Sequence, residues 1–233
     1  LDAYNDSLKV QRYFKLAVRS VLEAKDKHLV LLLDQFDGIF RDADSMLFMN
    51  LRGLREAYKY RISFITFTRD MLPRISELDN GREEFYELLE SNIIWLKPYN
   101  EEDACKLLEK ISVRNQVNIE DSLKPILTNL TGCHAGLLRE ALLSLARNKQ
   151  NFSQQDEEAI LRVLLQAHSI SIECKKIWNS LSVEEKKLLS AVVQGRDSNI
   201  QDTLLELLVQ KGLLIICDNE YKIFSRIFLE YIK

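Results

Sequence analysis

The run Leu29–Val30–Leu31–Leu32–Leu33, closed by Asp34, constrains the fold more than any other segment. A short unbroken aliphatic run ending in a carboxylate is the pattern of a strand buried on both faces, as in a parallel sheet. Two further segments share its character. Arg61–Ile62–Ser63–Phe64–Ile65–Thr66–Phe67–Thr68 is rich in β-branched and aromatic residues, and Asn92–Ile93–Ile94–Trp95–Leu96 is closed by Lys97–Pro98. Between them, residues 45–59 and 83–90 carry helical spacing, and a helix over Asp6 to Ala24, with apolar positions from Leu8 to Leu22, precedes the first strand. Strand, helix, strand, helix, strand is the rhythm of an α/β parallel sheet.

After Pro98 the rhythm stops. Glu101 to Val113, Leu123 to Leu130, Ala135 to Arg147 and Asp156 to His168 read as consecutive amphipathic helices. Asn100 before Glu101, Glu102 and Asp103 is a capped helix start, and Pro125 falls in a first turn, where its missing donor costs little. Ser182–Val183–Glu184–Glu185 predicts a capping box. A helix over Gln201 to Lys211 is stopped by Gly212, and Leu213–Cys217 and Tyr221–Phe224 flank the hairpin turn Asp218–Asn219–Glu220. Two helices and a hairpin form a winged-helix pattern. The expected parts are therefore an α/β part over residues 1–98, a helical part over 99–168 and a winged helix over 169–233, helix-rich throughout.

Composition supports that class. Only 7 glycines and 3 prolines occur in 233 residues, which argues against a turn-rich sandwich, and 46% apolar with 29% charged residues is a globular balance. No apolar run approaches the length of a membrane span. The opening residues are polar and acidic, so a cytoplasmic protein is expected. The four cysteines (105, 133, 174 and 217) form no CxxC pair and suit a reducing compartment. A net charge of −3 gives no global pull toward nucleic acid or anionic lipid.

The chemistry-bearing segment is Leu31–Leu32–Leu33–Asp34–Gln35–Phe36–Asp37. An acid at the carboxyl end of a parallel strand sits where open α/β sheets bind ligands, and its hard oxygens suit Mg2+. The segment resembles the Walker B motif of P-loop NTPases, and the Asp-Gln-Phe-Asp ending looks like that of STAND and related AAA-type ATPases. Ile65–Thr66–Phe67–Thr68–Arg69–Asp70 resembles their sensor strand, and Trp95 to Ala104 is similar to the run into their helical lid. Thr131–Gly132–Cys133–His134–Ala135–Gly136–Leu137–Leu138–Arg139 resembles the lid turn, with Cys133 and Ala135 standing where that family usually has glycine and proline.

The resemblance implies a nucleotide-dependent signalling switch, with ATP or ADP and Mg2+ held between the α/β part and the lid and exchange driving rearrangement or self-association. Asp34 would hold the metal, Gln35 or Asp37 would position water, and Arg69 with Thr68 would sense the γ-phosphate. His134 and Arg139 would reach the nucleotide from the lid. Each residue also has a local reading. Asp34 could cap the following turn, Asp37 could be a solvated loop acid, Arg69 could pair with Asp70, His134 could be satisfied by backbone, and Arg139 could lie on the surface.

No GxxxxGK[ST] occurs, and all seven glycines lie beyond the Asp34 strand, so the phosphate cradle is expected from an upstream part or another chain. ATP, ADP and Mg2+ are conditional on that cradle. The alternative is a non-catalytic interaction scaffold. A DNA-binding regulator is disfavoured because residues 169–233 carry nine basic and nine acidic side chains. The polar side of its would-be recognition helix (Gln201, Asp202, Thr203, Glu206, Gln210) is acidic as well.

Overall fold

The computed structural model describes the backbone of residues 2–25, 27–148, 156–195, 202–218 and 220–233, and the side chains of these except 2–8, 24–25 and 202. Gln201 and Asn219, and the side chains of Leu8 and Asp202, lie outside the described residues. The chain divides into two compact units, Leu1–Ile94 and Trp95–Lys233.

The first unit is built on two parallel strands, β1 (Leu29–Leu33) and β2 (Ile62–Thr66), in register from Leu29 opposite Ile62 to Leu33 opposite Thr66. Helix α1 (Asp2–Lys25) precedes β1, and α2 (Phe36–Asp42) and α3 (Ser45–Tyr58) connect the strands. A single turn α4 (Leu72–Ile75) and α5 (Asn80–Tyr86) follow β2. Val18 and Leu22 of α1 meet Leu54 and Ile62 over one face of the pair. Beside them Phe36, Phe40, Phe48 and Phe85 interlock with ring centroids 5.2 to 6.3 Å apart, spacings at which tilted and edge-on rings attract.

Two expectations are corrected here. The Leu29–Leu33 strand is not buried on both faces: Leu29, Leu31 and Leu33 are half-buried under the helices, while Val30 and Leu32 point outward. With Ile65 and Phe67 they form a bare apolar face exposed to between 43 and 64%. The physical reason is that the helices of this unit cover one side of the pair only. The segment Asn92–Leu96 is not a third strand. Glu90–Asn92 forms a 3-10 turn, residues 93–100 lie outside helix and strand, and Ile94 and Leu96 are more than four-fifths exposed. Strand-like composition cannot make a strand without a neighbour to accept its hydrogen bonds.

Helix α5 begins three residues earlier than its apolar spacing predicts because Asp79 caps it, accepting the Arg82 N–H at 2.9 Å. The structure also shows what secures the end of α2. Arg82 is buried, and its guanidinium donates to the carbonyls of Phe40 (2.7 Å), Arg41 (3.2 Å) and Ala43 (2.5 Å). These are carbonyls a helix terminus leaves without partners, and a cation there also meets the negative end of the helix dipole.

The second unit is helical with one hairpin. Its elements are α6 (Glu101–Asn115), α7 (Leu123–Thr131), α8 (Ala135–Asn148), α9 (Glu157–Gln166), α10 (His168–Asn179), α11 (Val183–Val193) and α12 (Asp202–Gln210). The antiparallel strands β3 (Leu214–Cys217) and β4 (Glu220–Ile223) and the terminal α13 (Arg226–Ile232) complete it. One continuous cluster of buried residues runs from Ala104 to Phe228 and joins all of these helices. The Asn100 cap and the Ser182–Glu185 capping box form as the sequence predicts. Helices α10 and α13 are additions. The chain breaks at Ala167, which is extended (φ −75°, ψ 118°) with no glycine or proline to signal it, and α10 then buries Ile170, Cys174 and Ile177. Among the described residues no helix is long and apolar enough to cross a membrane.

Candidate functional site at the carboxyl edge of the parallel strands

Both strands of the first unit end at the same edge, and the backbone there is tied together beyond the ladder. Phe67 donates its N–H to the Leu33 carbonyl at 2.9 Å, and Phe36 donates to the Phe67 carbonyl at 3.0 Å. Between these bonds Asp34 and Gln35 turn outward. Gln35 takes a left-handed conformation (φ 51°) that reverses the chain into α2. One oxygen of Asp34 accepts the N–H of the next residue, Gln35, at 2.8 Å, and α2 itself has no side-chain cap. Its second oxygen has no hydrogen-bond partner among the described residues.

Asp37, in the first turn of α2, accepts the backbone N–H of Arg69 at 2.9 Å. That bond spans the gap between the two strand-end loops and fixes Thr68 and Arg69 beside the turn that carries Asp34. Asp37 thereby holds one loop to the other through one of its carboxylate oxygens. The Arg69 side chain is exposed and enters no ion pair among the described residues. Asp70, the partner the local reading offers it, instead accepts from the Met71 N–H at 2.9 Å and lies 3.7 Å from Arg74. The structure thus gathers Asp34, Gln35, Asp37, Thr68 and Arg69 at one edge. What they present outward is a carboxylate oxygen, a hydroxyl, an amide and a guanidinium.

This donor set can be tested against Mg2+. Among the described residues no group of three or more His, Cys, Asp or Glu side chains could hold a metal ion. One outward carboxylate fits an ion that arrives with its own phosphate and water ligands, the usual manner in which Mg2+ binds, and does not fit a dedicated protein cage.

The two residues singled out from the second unit are engaged locally. His134 precedes α8, and its Nδ1 accepts the Leu137 N–H at 3.3 Å while its ring lies 5.9 Å from that of Phe224. Burial holds its imidazole below the usual histidine pKa, an effect opposed in part by Glu173. Arg139 is exposed and pairs with the adjacent Glu140 at 2.8 Å. Gly132 and Cys133 both take left-handed conformations, and a side chain at Gly132 would stand 2.0 Å from the Phe224 carbonyl oxygen. The turn is therefore built by its fit to Phe224.

Sequence reasoning missed Arg82, whose bonds hold α2 and through it Asp37. Asp79 before Asn80–Gly81 was a readable cap signal, but the carbonyls Arg82 reaches are 39 to 42 residues away and left no local trace.

No protein-family model matches the chain, and no curated protein matches it in sequence. Among solved structures it is similar to the Walker-type ATPase PABY2304 of Pyrococcus abyssi, at 15% sequence identity and a TM-score of 0.48. The superposition covers 88% of this chain and 63% of that one, so the chain spans less than two thirds of that ATPase's length. A likeness of this degree transfers no residue role.

Proposed function

We propose that the carboxyl edge of β1 and β2 is the metal- and phosphate-facing part of a nucleotide-dependent switch of the STAND or AAA type. The observation that carries the reading is the hydrogen bond from the Arg69 backbone N–H to Asp37, which ties the loop carrying Thr68 and Arg69 to the turn carrying Asp34 at the end of a parallel pair. In this reading Asp34 holds Mg2+ brought with the nucleotide, Arg69 and Thr68 meet the terminal phosphate, and Gln35 orients water. Mg2+ would supply charge neutralisation, and the protein groups would supply position. Exchange of ATP for ADP would then alter self-association or contact with other protein domains. His134 and Arg139 have local duties and are left out of the site.

The 233 residues contain no glycine-rich Lys-Ser/Thr loop, so the reading requires a phosphate cradle from outside them. The test uses the protein purified from its own cells, with released nucleotide identified and Mg–ATP binding measured. Bound ADP or ATP is expected, with Asp34→Asn weakening the Mg2+ dependence about tenfold and Arg69→Ala reducing the preference for ATP over ADP. Absence of nucleotide, or indifference to both substitutions, overturns the reading.

One observation favours a second reading, an interaction scaffold on the same fold: the apolar sheet face of Val30, Leu32, Ile65 and Phe67 is uncovered, and all-parallel sheets are normally covered on both sides. A nucleotide-free protein would support it.

A further inference from the structure

The first unit holds a second feature that the carboxyl edge does not use. A cavity of about 350 Å3 opens between α1 and the end of α3, lined by Gln11, Arg12, Lys15, Leu16, Arg19 and Tyr58. Every polar group on that lining can donate a hydrogen bond, and three of them are cations. Arg12, Lys15 and Arg19 fall at i, i+3 and i+7 of one helix, so they stand on one face over two turns. Like charges at this spacing repel, and helices ordinarily intersperse carboxylates among them. Here Glu23 pairs with Arg19 at 2.8 Å, and on the other side the nearest acid in sequence, Asp6, is six residues before Arg12. Arg12 and Lys15 enter no ion pair among the described residues. Across the cavity α3 contributes Tyr58 and no acid. The chain as a whole is acidic, at net −3, so this concentration of donors is local rather than a consequence of composition.

We propose that this cavity binds a small anion carrying two or more phosphoryl groups. Arg12 has the planar fork that meets phosphate oxygens in pairs, and Arg19, whose Nε is held by Glu23, adds its terminal nitrogens. Lys15 lies between them in sequence as a point charge, and the Gln11 amide and Tyr58 hydroxyl complete a neutral donor rim. The apolar Leu16 and the ring of Tyr58 give a non-phosphate body a surface to lie against along this open groove. The site is separate from the carboxyl edge: it shares no residue with Asp34, Asp37, Thr68 or Arg69 and does not depend on the nucleotide reading.

The test is titration of the protein with inorganic triphosphate at low salt, by calorimetry and by the amide resonances of α1. Saturable binding in the submillimolar range is expected, weakening steeply with added NaCl. The double variant Arg12→Ala/Lys15→Ala should weaken it at least tenfold. Lys186→Ala/Lys187→Ala removes the same charge from an exposed helix of the second unit and should leave binding within twofold. Arg12, Lys15 and Lys187 are exposed, Lys186 is half-buried with its ammonium 5.9 Å from the Trp178 ring centroid, and circular dichroism verifies that both double variants fold. Equal loss in the two double variants would mean general charge attraction, and loss in Asp34→Asn/Arg69→Ala would place the anion at the carboxyl edge. Either result, or no saturation below 10 mM triphosphate (about 3 kcal/mol of standard binding free energy), overturns the proposal. A parallel titration with ATP distinguishes the sources: tighter binding than triphosphate means a nucleotide ligand, equal or weaker binding an inorganic or other phosphorylated one.

Discussion

Replacing Arg82 by methionine keeps the aliphatic stem against Phe40 and Phe48 and removes the guanidinium that closes α2. Three carbonyls lose their donor, at Phe40, Arg41 and Ala43. A hydrogen bond from a charged donor is worth about 1.5–3 kcal/mol. Carbonyls at a helix end near the surface recover part of this from water, so about 1 kcal/mol each is the reasonable net. Loss of the cation from the negative end of α2 adds about 0.3–1 kcal/mol. Loss of the guanidinium from the Phe48 and Phe40 rings, whose centroids lie 5.1 and 5.9 Å from it, adds a similar amount. The expected cost is about 4 kcal/mol, or close to a thousandfold in the opening equilibrium of α2. Hydrogen exchange followed by mass spectrometry reads that opening in peptides covering residues 36–42, independently of the second unit. Arg82→Lys keeps the charge with a single donor centre and should give an intermediate increase. An acceleration of less than tenfold in Arg82→Met would refute the view that this side chain secures α2. It would also remove the argument that α2 delivers Asp37 to the site from a fixed position.

Other perturbations have equally definite expectations. Gly132→Ala forces a side chain into a left-handed conformation (φ +57°) against the Phe224 carbonyl, and should cost at least about 2 kcal/mol in urea denaturation followed by tryptophan fluorescence. Gly38→Ala places a methyl in open space within α2 and should stabilise by about 0.5–1 kcal/mol, slowing exchange in the same peptides. Ser225 is fully buried, donates to the Leu130 carbonyl at 2.9 Å and accepts the Phe228 N–H at 3.2 Å. Ser225→Ala leaves both without a partner, and a loss of about 2 kcal/mol is expected. His134 has a folded pKa held below its unfolded value of about 6.5, so the unfolded chain binds the extra proton first. Its contribution is complete above pH 6.5 and is lost as pH falls toward the folded pKa. His134→Asn, which retains a capping oxygen, should flatten the stability profile in that window; an unchanged profile would refute the assignment.

The positions of the parallel strands and of most helices were legible because their causes are local. Asn100 and Ser182–Glu185 cap the helices that follow them through bonds spanning three residues, and β1 and β2 carry the residues that favour extended chain. Asp34 and Asp37 could be singled out because their place after an aliphatic run is itself sequence information. Helix α10 has no local start signal, since Ala167 at its N-cap offers no side-chain cap; burial of Ile170, Cys174 and Ile177 in the core sets it.

Ile93–Leu96 marks the boundary between the two kinds of information. Its composition favours a strand, yet it runs unpaired, because a strand is a relation between two segments and β1 and β2 bond only to each other among the described residues. The same distinction governs the site. The sequence by itself determined which residues have phosphate or metal chemistry and which local element carries each. Only tertiary structure decided that Asp37 would bind the Arg69 backbone, that Arg82 would close α2, and that His134 would serve its own helix. Those bonds join groups brought together by packing, and packing acts on distances in space that the order of residues does not encode.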